Sequence, residues 1–244
     1  MNADVIIRRI KRSIGIYGIA LPIKDLDQFI LDILEDTTLP VFSTYCPHEE
    51  IHTILVDQLE HNNRERGEGC ELFTIPETLI NGRELLYIKS VQYDESFLRY
   101  QYMPSVVNQQ QANEMVEGLY LANATKPLLD AMINPITFHY EYPRKLFIYD
   151  TLISSRLKAV MCFSHDKSFQ SITPTQQESF FKLASLDVKE GLYATVKHYD
   201  GIETAFGRIE LKIDDWQNAA QERKDLLNEW DETYLLDAVG IQYG

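Results

Sequence analysis

Positive charge is what this sequence has little of. Only 23 lysines and arginines stand against 37 aspartates and glutamates, a formal charge of -14 at pH 7. A phosphate backbone is held by neutralising it with Lys and Arg, so this balance excludes a general nucleic-acid binder. Beside DNA such a surface repels rather than grips, as suits a wall past which DNA slides. Cysteine is scarce too. Cys46, Cys70 and Cys162 are odd in number and widely spaced, which excludes a disulfide framework and fits a reducing compartment. No apolar run approaches the length that crosses a bilayer, and the basic start "MNADVIIRRIKR" is not followed by a signal-peptide core. Neither a membrane partner nor a secretory leader is therefore expected. Neither GxxxxGK[ST] nor GxGxxG occurs, so no glycine-rich phosphate cradle is present as a motif.

What is present is ordinary globular material. A chain of 244 residues with 45% hydrophobic and 25% charged residues can bury a substantial core. Its first segment carries Arg8, Arg9, Lys11 and Arg12 against Asp4 alone. This reads either as a solvated tail or as an arm that contacts an acidic partner or passing DNA. From residue 21, Leu26, Phe29, Ile30, Ile33 and Leu34 recur at three- and four-residue intervals. They predict an amphipathic helix with Pro22 in its first turn and Pro40 at its stop. After Pro47, "EEIHTILVDQL" places Ile51, Ile54, Leu55 and Leu59 on one side of a second amphipathic segment. The polar run "EHNNRERGEG" then reads as a loop.

The centre changes to a period of two. "CELFTIPETLINGRELLYIKSVQY" predicts a strand, a turn at Asn81-Gly82 and a second strand. Residues 94–111 carry no periodic signal and lead toward a helix near 112–124. "PITFHYEY" alternates cleanly, and "KLFIYD" and "LKAVMCFSHD" are further strands. Toward the C-terminus, Thr173, Pro174 and Gln176 form a T-x-x-Q helix start. Phe181, Ala184, Val188, Leu192 and Val196 follow as a stripe, closed by Lys197, His198 and Gly201. A last helix starts at Asp214 or Asp215, which read as caps. It carries Trp216, Ala220, Arg223, Leu227, Trp230 and Tyr234 at alternating spacings of four and three residues. Two tryptophans on one face demand a partner, so Trp216, Ala220, Leu227, Trp230 and Tyr234 are the expected core or subunit-interface face. The opposite face is acidic, with eight carboxylates between 214 and 237 against Arg223 and Lys224.

Signals of chemistry are thin. "KHYDGIETAFGRIELKIDDW", residues 197–216, gathers a histidine, carboxylates and two glycines. Without a nucleophile motif beside it, it reads as a shaped connection, with "RIELKI" extended and the glycines relieving turns. "CPHEEIH" offers Cys46, His48 and His52 but completes no zinc spacing. His165 beside Asp166 is weak evidence for a base, and Arg144 with Lys145 reads as a solvated turn.

The combination of "TLPVFSTYCPHE", "FHYEYPRKLFIYD", "SITPTQQESFFKLASLDVKEGLYATVKHYDGIETAFGRIELKIDDW" and "ERKDLLNEWDETY" resembles virion structural proteins of tailed bacteriophages, of the neck or head-tail connector (adaptor) type. The likeness covers the two ends and the centre, with 94–111 unmatched. It implies a non-enzymatic, homo-oligomeric ring subunit, placed below the portal protein among other neck or tail proteins, with DNA passing through its channel without sequence-specific binding. It also implies a place in the virion after assembly in the host bacterial cytoplasm, with no catalytic residue, cofactor or metal to carry over.

The expected fold is α+β: a small, mostly antiparallel β-sheet or sandwich flanked by N-terminal and C-terminal amphipathic helices. Its expected regions are an arm and helical part at 1–66, a β-rich centre with a helical insertion at 67–170 and a helical part at 171–244, together one compact domain. Two other functions stand beside the ring subunit. One is a cytoplasmic metal-dependent hydrolase built on His48, His52 and nearby carboxylates. The other is an acidic adaptor that mimics DNA.

Overall fold

The computed structural model describes residues 2–19, 21–61, 70–94, 136–149, 156–197, 202–204, 207–209 and 214–235. Outside them fall most of the 60–69 loop, the 95–135 insertion with its expected helix, and His198, Asp200 and Gly201. The fold is α+β and divides into two compact units, Met1–His48 with Ser164–Gly244, and Glu49–Phe163. The N-terminal and C-terminal helices thus share one unit, and the β-rich centre is the other.

In the helical unit, α1 (Ala3–Ser13) is a true helix, not a loose tail. Asn2 caps it by accepting from the Asp4 N–H at 3.1 Å, and Ile6, Ile7 and Ile10 are buried. The spacing of those isoleucines puts them on one face, and that face removes the arm from solvent. Helix α2 (Leu26–Ile33) starts later than Pro22 predicts. The Asp25 carboxylate, accepting from the Gln28 N–H at 3.1 Å, is the stronger start signal.

Nor does Pro40 end the helix. A π-helical turn over Leu34–Thr38 leads straight into α3 (Leu39–Tyr45), with Pro40 in its first turn. A widened turn just before the proline shifts the hydrogen-bond register where an N–H is missing, so the chain continues helical.

The longest helix, α5, is Gln177–Val196; α4 is the single turn Glu77–Ile80 in the other unit. Before α5, Gln176 accepts at its Oε1 from the Thr173 N–H at 3.1 Å, half of the expected capping box. The stripe of Phe181, Ala184, Val188, Leu192 and Val196 is buried throughout, and Phe180, Leu183 and Asp187 are buried as well. A helix apolar on more than one side is the centre of its unit. Around it pack α1, α2, the π turn, α6 (Asp214–Gln217) and α7 (Ala219–Trp230). Phe42 anchors the core, edge-on to Phe180 at 5.3 Å and to Trp230 at 6.1 Å between ring centroids. The connection from α5 to α6 contains a short antiparallel hairpin, β8 (Ile202–Thr204) with β9 (Gly207–Ile209).

The β-rich unit holds a three-stranded sheet of order β1-β7-β4 and a four-stranded sheet of order β2-β3-β6-β5. The strands are β1 (His48–Leu55), β2 (Glu60–His61), β3 (Glu71–Thr74), β4 (Leu85–Tyr93), β5 (Phe138–Glu141), β6 (Lys145–Ile148) and β7 (Arg156–Phe163). Pairing is antiparallel for β4 with β7, β2 with β3, β3 with β6 and β5 with β6. One core, including Ile54, Phe73, Val91, Leu146, Ile148 and Met161, is fed by both sheets, which makes the unit a sandwich.

Two expectations are corrected here. Residues 48–55 are a strand, not a helix, because His48, Glu50, His52 and Ile54 alternate inward. Asn81-Gly82 does not join a hairpin: β3 and β4 lie in different sheets, and Asn81 at φ 52° with Gly82 at φ 69° closes α4 instead.

Candidate functional site

Polar groups that look reactive in sequence are committed to structure. His165 is buried, and its ring stacks on Phe42 at 5.4 Å. Its Nε2–H donates to the Cys46 carbonyl at 2.7 Å, and its Nδ1 lies 2.9 Å from Ser171 Oγ. Ser171 in turn donates to Asp166 at 3.1 Å. In a catalytic triad the carboxylate orients the imidazole and leaves the other ring nitrogen facing the serine. Here the carboxylate binds the serine and a backbone carbonyl takes the other nitrogen, so the arrangement holds a loop. Burial pushes the His165 pKa below its ordinary value, although the Cys46 hydrogen bond opposes the shift.

His52 does not point to a metal. It bonds Glu50 at 2.9 Å, and both Glu50 oxygens accept from Arg83, at 2.6 and 2.7 Å. That bidentate guanidinium also lies 4.1 Å over the Phe163 ring. His48 sits 6.1 Å from the His165 ring, centroid to centroid. Among the described residues no group of three His, Cys, Asp or Glu side chains is placed to hold a metal ion.

Exposed ionic groups occur in both units, as Lys89 with Glu49 and Arg144 with Glu77 in the β-rich one and the charged helix faces in the helical one. On α1, Ile6, Ile7 and Ile10 point inward, while Val5, Arg8, Arg9 and Arg12 are exposed. Three of the four cations expected to act have local partners. Arg9 stacks over Phe181 at 3.9 Å, Arg12 over Tyr17 at 4.9 Å, and Lys11 pairs with Asp27. Arg8 lines a shallow groove of about 230 Å³ with Asp4, Ile7, Lys11, Tyr17 and Asp27.

On the last helix, Trp216 and Trp230 are buried, Leu227 is half-buried and Ala220 is exposed. The Tyr234 side chain and those of Asp214 and Asp215 lie outside the described residues. The residue that ties this helix down is Arg223, whose Nε donates at 2.5 Å to Asp187 of α5. The other Asp187 oxygen accepts from Thr38 of the π turn at 2.6 Å. One buried carboxylate therefore joins three helical elements. Its only sequence trace is an aspartate inside the apolar stripe of α5.

Compared with models of known families, residues 1–239 match the bacteriophage ring protein family. The chain belongs to that family. It is a phage structural protein of ring type, a class that is not enzymatic. No curated protein matches the sequence. For a ring protein, the residues that matter are those free to meet another molecule. Exposed side chains of both units, among them Arg8 on α1 and Ile51 and Tyr142 in the β-rich unit, are open in this way, whereas His52 and His165 are taken up by internal hydrogen bonds.

Proposed function

We propose that this ring protein is a subunit of the virion neck. Copies close into a ring that joins the portal-bearing head to the tail, acts as a head-tail connector, and leaves a channel for DNA. The observation that carries the reading is the family match across residues 1–239. The formal charge of -14 supports the channel, because a wall that repels phosphates lets duplex slide without holding it. The portal protein and adjoining neck or tail proteins are its partners, and the virion is its location. Among the described residues no helix is long and apolar enough to cross a membrane.

Negative-stain microscopy and native mass spectrometry of the purified protein, alone and mixed with portal or tail protein, test the reading. The expected result is a closed ring with a central opening that binds at least one of the two partners. A chain that stays monomeric alone and with both partners sinks it.

A further inference from the structure

Ring closure needs a heterologous contact, in which one surface of a subunit meets a different surface of the next. The helical unit presents two helix faces of opposite charge. On α1, Val5, Arg8 and Arg12 follow one another at three- and four-residue steps, with Arg9 beside them. All four are exposed, opposite the buried isoleucines. On the last helix, Glu222, Asp225, Glu229 and Glu232 repeat at steps of three, four and three, and all are exposed. Their face points away from the buried Ala219 and Trp230. At 1.5 Å per residue the basic stripe runs roughly 10 Å and the acidic one roughly 15 Å, so the shorter fits along the longer.

The two helices also sit on different sides of α5. Helix α1 meets α5 at Phe181, under Arg9, and at Ser185, whose Oγ is 3.0 Å from Ser13 Oγ. Helix α7 meets α5 at Asp187. On a helix of 3.6 residues per turn, Phe181 and Ser185 are turned about 140° away from Asp187. Helices α1 and α7 thus attach to α5 on nearly opposite sides, so their charged stripes belong to separate surfaces of the unit, as a head-to-tail contact requires.

We infer that the α1 face of one copy docks on the acidic α7 face of the next copy and forms the subunit contact of the ring. The inference rests on the ring reading above. A second copy fits the basic stripe better than DNA does. Each copy brings four carboxylates at matching spacing, whereas the rest of the acidic chain repels a duplex.

The test uses the full chain in three forms: Arg8→Glu with Arg12→Glu, Asp225→Lys with Glu229→Lys, and all four together. Circular dichroism melts confirm that each folds, since the altered side chains are exposed. Each reversed ion pair turns an attraction into a repulsion and weakens the contact about fivefold, and the loss multiplies over the pairs and around the ring, so each double variant loses the ring in native mass spectrometry and microscopy. The quadruple variant restores it, because its two faces are again opposite in charge. Mixing the two double variants likewise yields mixed oligomers that neither forms alone.

Rings that survive both double reversals overturn the contact and leave the ring reading standing. So does a quadruple variant that fails to reassemble. Reversals that keep the ring but abolish attachment to portal or tail protein assign these faces to another partner and also overturn it. A wild-type chain monomeric under every condition removes the ring reading, and the contact with it.

Discussion

Asp187 and Arg223 meet at 2.5 Å between α5 and α7, with the carboxylate almost fully buried and the arginine side chain 24% exposed. The second Asp187 oxygen is taken by Thr38 at 2.6 Å. A buried charge satisfied on both oxygens holds its partners in one arrangement, and it is costly to leave half-paired.

Arg223→Ala strands that carboxylate. The expected loss is about 3 kcal/mol, or a fall in melting temperature of roughly 6–12 °C for a chain of this size. Arg144→Ala is the control. Arg144 pairs with Glu77 at 2.7 Å, but both side chains are well exposed, so its loss costs within about 0.5 kcal/mol. Equal melting shifts for the two variants would show that the Asp187 link contributes no more than a surface pair.

Stability should fall as the solution is acidified, and His165 gives the sign. Its folded pKa lies below the ordinary value, chiefly because burial disfavours the charged ring. The unfolded chain therefore takes up the proton first, near pH 6.5. Stability from this group is full above that pH and drains away as the pH falls through about 6.5 toward the folded pKa. Thermal melts from neutral to mildly acidic buffer, about pH 7.5 to 5, should show the decline, and His165→Gln should flatten it. An unchanged slope in the variant would assign the effect to other groups.

How much of this was legible follows from where the periodic signal is carried. Phe181, Ala184, Val188, Leu192 and Val196 form an apolar helical stripe, and all are buried, so α5 could be read directly. The α+β class, and strands β5, β6 and β7, were legible for the same reason. Strand β1 was not. The inward residues of its first half are His48, Glu50 and His52, polar groups made acceptable inside by Arg83. With the alternation carried by polar residues, Ile51, Ile54, Leu55 and Leu59 imitated a helix. The α1 cations are visible as charge, whereas the three isoleucines that order the arm are interleaved with them, so its apolar face is masked in the sequence. Asp187 was hidden because Thr38 lies 149 residues away in sequence, a separation no local pattern spans.

Thiol chemistry should separate the three cysteines. Cys46 and Cys162 are buried and Cys70 is partly accessible. Burial also pushes the Cys162 thiol up to about 11, against a hydrogen bond from Tyr87 that lowers it, so little thiolate forms at about pH 8. A chromogenic disulfide reagent should titrate one thiol quickly in the native protein and all three cysteines after denaturation. Cys70→Ser should remove the fast phase; if Cys162→Ser removes it instead, the strand that carries Cys162 opens readily.

Gly191 marks the tightest approach of α2 to α5. A Cβ placed there would stand 2.6 Å from Ile33 Cδ1, 3.6 Å from Ile33 Cγ1 and 3.7 Å from Phe29 Cζ. The nearest atom is the end of a flexible side chain, so alanine is tolerable. Turning Ile33 aside costs about 1 kcal/mol, and replacing a mid-helix glycine by alanine returns about the same. Gly191→Ala should therefore melt within a few degrees of the parent chain. Gly191→Leu cannot be absorbed this way, because its added atoms meet both Ile33 and Phe29. It should cost about 1–3 kcal/mol through overpacking. Denaturation midpoints for the two variants decide the point: equal destabilisation would mean that backbone freedom, rather than space against α2, is what position 191 requires.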